Sequence, residues 1–394
     1  MPSALSSLHV LDVTQVMAGP FCAMLLSDLG ADVIKIEPPS GDSTRQMPGA
    51  VAGDSPSFNA VNRGKRSVVL NLKTAAGREA FVRLARSTDI LIENYRPGVM
   101  AALGLDYPSL SALNPRLIYA SISGYGQTGP SRAKGGFDLI AQGVAGIMSI
   151  TGNAGGPPVK AGVPLTDLGA GLFATVGILA AVEARHHTGV GQHVDTSLVD
   201  AGVALSVWEA TEYFSGAGIP VALGSAHRMN APYQAIRCAD GYITLGGANE
   251  RLFRRLCDVL GHPEWTSMTE FADNASRVRN RDALAGRIEA ITCQQPRSHW
   301  LELLEANDIP CGPINNYEQV FADSQVRSRE MVVEVDHPTL GRLRTLGSPL
   351  KMSDTPPDVR RRAPLLGEHT DVVLREAGFS DSEIAAMRES GAVS

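Results

Sequence analysis

Apolar runs of two kinds take turns along the first third of the chain. His9-Val-Leu-Asp-Val-Thr is short and β-rich, Pro20 to Leu29 spaces its apolar residues as a helix does, and Asp32-Val-Ile-Lys-Ile-Glu is short and β-branched again. This order predicts strand, helix, strand. It continues through Ser67-Val-Val-Leu-Asn-Leu, a helix from about Ala75 to Arg86, Asp89-Ile-Leu-Ile-Glu-Asn, a helix near Ser109, and Leu117-Ile-Tyr-Ala-Ser-Ile-Ser. Strands alternating with helices build a parallel sheet flanked by helices, so the expected fold class is α/β. Ligands of such sheets collect beyond the carboxyl ends of the strands. Those ends are Thr14-Gln15-Val16-Met17, Glu37-Pro38, Asn94-Tyr95-Arg96 and Ser123-Gly124-Tyr125.

From Asp167 to about Phe214 the pattern predicts a largely helical stretch. A smaller α/β region follows: strands at Tyr233-Gln-Ala-Ile-Arg and Tyr242-Ile-Thr-Leu-Gly-Gly around a turn at Ala239-Asp-Gly, then helices at Glu250 to Leu260, Arg281 to Ile291 and Arg297 to Asn307. Met331-Val-Val-Glu-Val and Leu343-Arg-Thr-Leu predict strands of a tail that rejoins the first domain. The expected division is therefore 1–205 for the first part of a large domain, 206–230 for a linker, 231–323 for a small α/β domain and 324–394 for the return segment.

Charge and composition narrow the function classes. A net charge of -6 argues against a general nucleic-acid binder, because phosphate backbones select for excess Lys and Arg, although a local basic pocket for a small anion stays open. Five cysteines without a C-x-x-C pair describe no disulfide framework and suit reduced thiols. The start, Met-Pro-Ser-Ala-Leu-Ser-Ser-Leu, has no basic segment leading into an apolar one, and the uncharged run Leu168 to Val182 is shorter than the roughly 20 residues that span a bilayer. A cytoplasmic protein without a membrane segment is expected.

Val-Met-Ala-Gly-Pro follows the first strand, where a dinucleotide-binding protein would carry G-x-G-x-x-G. No G-x-x-x-x-G-K-[ST], H-E-x-x-H or G-x-S-x-G occurs either, and the nine histidines form no evident metal set. Nicotinamide, NTPase, zinc-protease and serine-hydrolase chemistry are thus disfavoured, and no metal ligand is assigned. One carboxylate stands out: Asp167, in Pro164-Leu-Thr-Asp-Leu-Gly, at the head of an apolar helix. The positive end of a helix dipole favours an ionised carboxylate and steadies oxyanions. Local sequence suits a plain N-cap equally well.

Several segments carry a resemblance that spans nearly the whole chain. They are Gly19-Pro-Phe-Cys-Ala-Met-Leu-Leu-Ser-Asp-Leu-Gly-Ala-Asp-Val-Ile-Lys-Ile-Glu, Asn62-Arg-Gly-Lys-Arg-Ser, Glu93-Asn-Tyr-Arg-Pro-Gly, Ser123-Gly-Tyr-Gly-Gln-Thr-Gly-Pro, the stretch around Asp167, and Pro364-Leu-Leu-Gly-Glu-His-Thr. Each is weak alone, but in this order they resemble the class III CoA-transferases (the CaiB/BaiF family), which include the formyl-CoA:oxalate, carnitine and bile-acid enzymes. The resemblance implies a Rossmann-like large domain, a smaller α/β domain and two chains interlocked as a homodimer. It implies no tightly bound cofactor: a coenzyme A thioester and a carboxylic acid are the substrates.

By the same resemblance Asp167 is the nucleophile, passing through an aspartyl anhydride and an aspartyl-CoA thioester. Gln15 hydrogen-bonds the acyl group or aspartyl carbonyl, and Asp138 lies close by, where a second anion raises the pKa of Asp167. Val16, Leu70, Lys73, Asn94, Tyr95 and Arg96 match segments that contact CoA, and Gly246-Gly247 matches a glycine loop over the substrate. Pro38 and Ala102 depart from the oxalate enzyme's arginines, and the loop lacks its four-glycine run, which points toward other acceptors, dicarboxylates such as glutarate, citramalate or itaconate, with succinyl-CoA as donor. An α-methylacyl-CoA racemase shares the fold, but its relatives place a histidine where Phe137 stands here. A noncatalytic CoA-binding protein would not need Asp167 and Gln15 together.

Overall fold

In the computed structural model, which describes residues 3–51, 54–359 and 361–394, the chain divides into two units. Residues up to 147, 160–216 and 324–394 form the first, and 148–159 with 217–323 the second.

The first unit is built on six parallel strands: β1 (His9–Asp12), β2 (Asp32–Glu37), β3 (Arg66–Val69), β4 (Ile90–Glu93), β5 (Ile118–Ser123) and β6 (His193–Ser197), in the order β3-β2-β1-β4-β5-β6. Its main helices are α1 (Ala18–Asp28), α2 (Ala75–Ala85), α3 (Asp138–Val144), α4 (Leu165–Thr188), α5 (Leu198–Leu205) and α6 (Val207–Phe214). Successive strand side chains face opposite ways, so the two faces carry separate cores. Val10, Ile92 and Ile118 pack with Cys22 and Leu26 of α1 and Ala174 and Ile178 of α4. Leu11, Ile34 and Leu91 pack on the other face with Phe81 of α2 and with Val373, Leu374, Ile384 and Met387 of the C-terminal helices Thr370–Glu376 and Asp381–Glu389. Small residues let α4 approach α1: a Cβ added to Gly171 would stand 2.7 Å from the Ala18 carbonyl oxygen.

The sequence pattern predicts a largely helical stretch over 167–214 and no strand within it, whereas β6 interrupts it as the edge of the sheet. An edge strand buries little, and His-Val-Asp-Thr-Ser lacks the apolar run that marks an inner one. Its signal is the break before it: Gly189, at φ 76°, ends α4 in the left-handed conformation.

The second unit holds an antiparallel sheet of β7 (Tyr233–Cys238), β8 (Gly241–Gly246) and β9 (Cys311–Pro313) in that order. Helices Glu250–Val259, Arg281–Thr292 and Arg297–Ala306 complete it around Ile236, Ile243, Phe253, Ile288 and Trp300. Residues 148–159, which the sequence pattern leaves with the large domain, join this unit, where the Gly224 N–H donates to the Gly152 carbonyl at 2.8 Å.

By length and composition alone α4 could cross a membrane, and half of its most apolar window is buried within the chain.

Candidate active site

Sheet order reverses between β1 and β4, and a cleft of about 300 Å³ opens there beyond the strands' carboxyl ends. Gln15 and Val16 reach it from β1, Asn94, Tyr95 and Arg96 from β4, Ser123 and Gly124 from β5, and Asp167 from the head of α4. Phe137, 72 % exposed, stands in its wall one residue before Asp138. The loops cross closely enough to demand glycine, since a Cβ on Gly124 would lie 2.7 Å from the Gly136 Cα.

Asp167 is not the N-cap of α4. Pro164 holds that position and supplies no side-chain hydrogen bond, while Asp167 is the third helical residue. Asp138, from the start of α3, caps in its place: its Oδ1 accepts the Thr166 N–H at 3.0 Å and the Thr166 hydroxyl at 2.8 Å, and its Oδ2 accepts from Gln142 Nε2 at 2.7 Å. The Asp167 carboxylate is left without a hydrogen-bond donor among the described residues and free to face the cleft. Burial first, and the nearby Asp138 charge second, lift its pKa from the ordinary 3.8 to about 7. Both act against the direction expected from a helix N-terminus. The result is a carboxylate about half ionised at neutral pH and more basic, hence more nucleophilic, than a solvated one.

Opposite stands the β1–α1 loop. Asn94 Oδ1 accepts the Gln15 N–H at 2.9 Å and Asn94 Nδ2 donates to the Gln15 carbonyl at 2.7 Å, so one carboxamide fixes both backbone groups of Gln15. The Gln15 side chain meets the Tyr95 phenol, whose own pKa burial raises. Val16 has φ 71°. A β-branched residue in the left-handed region is strained, and such strain persists only where its surroundings impose it. Glu93, lifted to about 7 by burial, accepts the Tyr95 N–H at 2.8 Å and thereby shapes the turn that carries Asn94.

Of the other sequence candidates, Arg96 lies at the cleft, and Leu70, Lys73, Gly246 and Gly247 do not line it. Leu70 is 1 % exposed within the core, which leaves only its backbone open to a ligand. Lys73 is exposed on the loop after β3, its N–H donating to Asn71 Oδ1 at 3.2 Å, and neither residue lines the cleft. Arg96 is exposed, with its guanidinium against Gly135. Gly246 and Gly247 belong to the second unit and are packed: the Gly246 N–H donates to the Pro310 carbonyl at 2.8 Å, and a Cβ on Gly247 would lie 3.0 Å from Pro232 Cγ. Residue types alone did not single out the Asp138–Thr166 cap or the strained Val16. An acidic residue followed by a helix was the only available hint of the first, and the second left none.

A basic carboxylate facing a carboxamide across a cleft, with a guanidinium at the rim, suits acyl transfer from a phosphate-bearing carrier. Known proteins agree. The chain is 39 % identical to the succinyl-CoA:glutarate CoA-transferase of Homo sapiens, covering 99 % of this chain and 90 % of that one. It is 40 % identical to the acetyl-CoA:oxalate CoA-transferase of Acetobacter aceti over 94 % of each. A crystal structure of a CaiB/BaiF family protein from Brucella suis superposes with a TM-score of 0.85 at 38 % identity, covering 96 % of this chain and all of that one. The pattern of CoA-transferase family III matches residues 5–370, and the chain belongs to that family of enzymes.

Proposed function

We propose that the protein moves coenzyme A from succinyl-CoA to a dicarboxylic acid of glutarate size, with Asp167 as nucleophile. The observation that carries the mechanism is the unpartnered Asp167 carboxylate in the cleft, with a pKa of about 7. An Asp167 oxygen attacks the thioester carbonyl and expels CoA thiolate, giving a mixed anhydride. The thiolate attacks the aspartyl carbonyl of that anhydride and releases the donor acid, leaving an aspartyl-CoA thioester. The acceptor carboxylate displaces the thiolate from it, forming a second anhydride, and the thiolate then takes the acceptor acyl group and frees Asp167. Thioester is exchanged for thioester, so no external energy source enters.

Gln15 donates its carboxamide N–H to the acyl or aspartyl oxygen as charge develops there. Arg96 supplies charge-assisted hydrogen bonds to CoA phosphates, with Asn94, Tyr95 and the backbones of Val16, Leu70 and Lys73 along the carrier. Gly246 and Gly247 serve the acceptor side. The chain acts as an interlocked homodimer. In support, α3 to α6 leave large apolar side chains in solvent, among them Val176 at 65 %, Trp208 at 63 % and Phe214 at 80 % exposure. Phe137 weighs against racemisation, because a phenyl ring has no titratable proton to exchange and α-carbon inversion needs two acid/base groups.

The human relative's substrate pair and the absence of a four-glycine run support a dicarboxylate of glutarate size; oxalate, the shorter dicarboxylate named for the Acetobacter relative, is the competing acceptor. Mass spectrometry of acyl-CoA donors against a panel of acids decides between them. Glutaryl-CoA from succinyl-CoA is the expected leading product, and a higher kcat/KM for oxalate overturns the acceptor assignment. Deuterium uptake by an α-methylacyl-CoA in heavy water without an acceptor acid would instead establish a racemase. Asn94→Asp, which sets a carboxylate oxygen against the Gln15 carbonyl in place of a donor, is expected to lower kcat about 10–100-fold. Steady-state kinetics check this.

A further inference from the structure

Beneath the loop that carries Gln15 and Val16 the molecule buries two ion pairs whose side chains are wholly removed from solvent, Lys65 with Asp12 and Lys35 with Asp42. Charges taken out of water are costly, and apolar residues of the same volume commonly serve stability as well or better. Stability is therefore a poor account of them. Their contacts converge on one short piece of backbone. Asp12 Oδ1, at the end of β1, accepts the Thr14 N–H at 2.9 Å and the Thr14 hydroxyl at 2.5 Å. Lys35, reaching across from β2, donates to the Thr14 carbonyl at 2.8 Å while facing Asp42 Oδ2 at 3.0 Å. Lys65 holds Asp12 Oδ2 at 2.8 Å, Asn62 Oδ1 at 2.8 Å and the Pro20 carbonyl at 3.0 Å, which ties the end of β1 to the first turn of α1. With Asn94 gripping both backbone groups of Gln15, the peptide groups around Thr14 and Gln15 are pinned, and the chain has Val16 in which to make its turn.

We infer that Lys35, together with the Asp12–Lys65 pair, is a positioning residue for the reaction: it holds the Thr14 carbonyl so that Val16 stays left-handed and the Gln15 carboxamide stays at the cleft opposite Asp167. The inference rests on the proposed CoA transfer. Lys35 touches no substrate; it acts through one carbonyl oxygen. Without it the Thr14–Gln15 peptide keeps only the Asn94 hydrogen bond on its N–H side and its carbonyl can tilt, Val16 relaxes to negative φ, and Gln15 leaves the place where acyl charge develops. A displacement on the order of 1 Å at such a group is enough to cost about 100-fold in rate.

Lys35→Met is the direct test, and Lys35→Met/Asp42→Asn repeats it without an unpaired buried carboxylate should the single variant fold poorly. Arg185→Met is the control for general destabilisation. It breaks the ion pair of the buried Arg185 with the half-buried Asp89 (2.9 Å) near the far end of α4, about 27 Å along the helix from Asp167. In the Lys35 variants kcat is expected to fall about 10–100-fold with KM for the acyl-CoA within about twofold, and their crystal structures to show Val16 at negative φ. The control loses melting temperature and keeps its kcat. A double variant with wild-type kcat and Val16 still near φ 71° overturns the inference, as does an equal kcat loss in the control. If the wild-type protein transfers no CoA, the proposed function falls, and Val16 in the variant crystals still decides whether Lys35 sets the loop.

Discussion

Asp167→Asn is expected to abolish CoA transfer and, above neutral pH, to make the protein more stable. Asparagine keeps the size of the side chain and loses the nucleophilic oxygen, so no anhydride or aspartyl thioester forms, and removal of a covalent nucleophile commonly costs on the order of 10⁴-fold or more. Intact-mass measurement after mixing with acyl-CoA, with hydroxylamine as trap, is expected to find an adduct on the wild-type protein and none on the variant. The stability change follows from the pKa. A carboxyl lifted from 3.8 to about 7 on folding binds its proton more tightly in the native state. Its contribution is fully present below pH 3.8 and is lost as pH rises toward 7, beyond which the native state carries an unpaired charge. At pH 8.5 the variant is spared that charge, worth at most about 4 kcal/mol for a shift of this size, and its melting temperature rises; at pH 3.5 the two proteins melt together. An aspartate kept as a helix cap behaves the other way, since its replacement brings no gain at any pH. A variant that keeps its activity, or one that is destabilised at pH 8.5, removes Asp167 from the role proposed for it.

Strands β1, β2, β4 and β5 were legible because each is a short apolar run closed by a polar turn, and their carboxyl ends named in advance the loops that line the cleft. β6 was not, since an edge strand leaves no apolar run to read. Asp12 stood as a charge in a strand-like stretch, and Lys35 and Lys65 stood in segments that carry the resemblance, with no role assigned to any of the three. What makes them unusual is complete burial, and that depends on neighbours 53 residues apart in the case of Asp12 and Lys65. The Asp138 cap is likewise a contact across 28 residues. Residue-type logic reads Val16 the wrong way, because valine argues for extended backbone. For Asp167 the helix head was visible in sequence. The burial that raises the pKa of its carboxyl was not.

Asp138→Asn is expected to move the acid limb of the kcat/KM profile to lower pH while destabilising the protein, and the two effects have separate causes. The charge of Asp138 is the second influence that raises the Asp167 pKa; removing it lowers that pKa from about 7, but burial, the larger influence, remains and keeps it above the ordinary 3.8. Asp167 must be ionised to attack, so the variant reaches half of its maximal rate at a more acidic pH than the wild type. Its plateau rate drops, by about 10-fold, because a less basic carboxylate is a weaker nucleophile and the head of α4 is held less well. Stability falls through hydrogen bonding. An asparagine Oδ1 still accepts from Thr166, but its Nδ2 then meets Gln142 Nε2, which lies 2.7 Å from the oxygen it replaces. Turning the Gln142 amide over would relieve that clash only by taking Oε1 from the Ala161 N–H, which it holds at 2.8 Å. One donor is left unsatisfied either way, at a cost of about 1–3 kcal/mol. A pH–rate profile with thermal melts at each pH separates the two effects, and an acid limb that stays in place or moves to higher pH contradicts the electrostatic role given to Asp138.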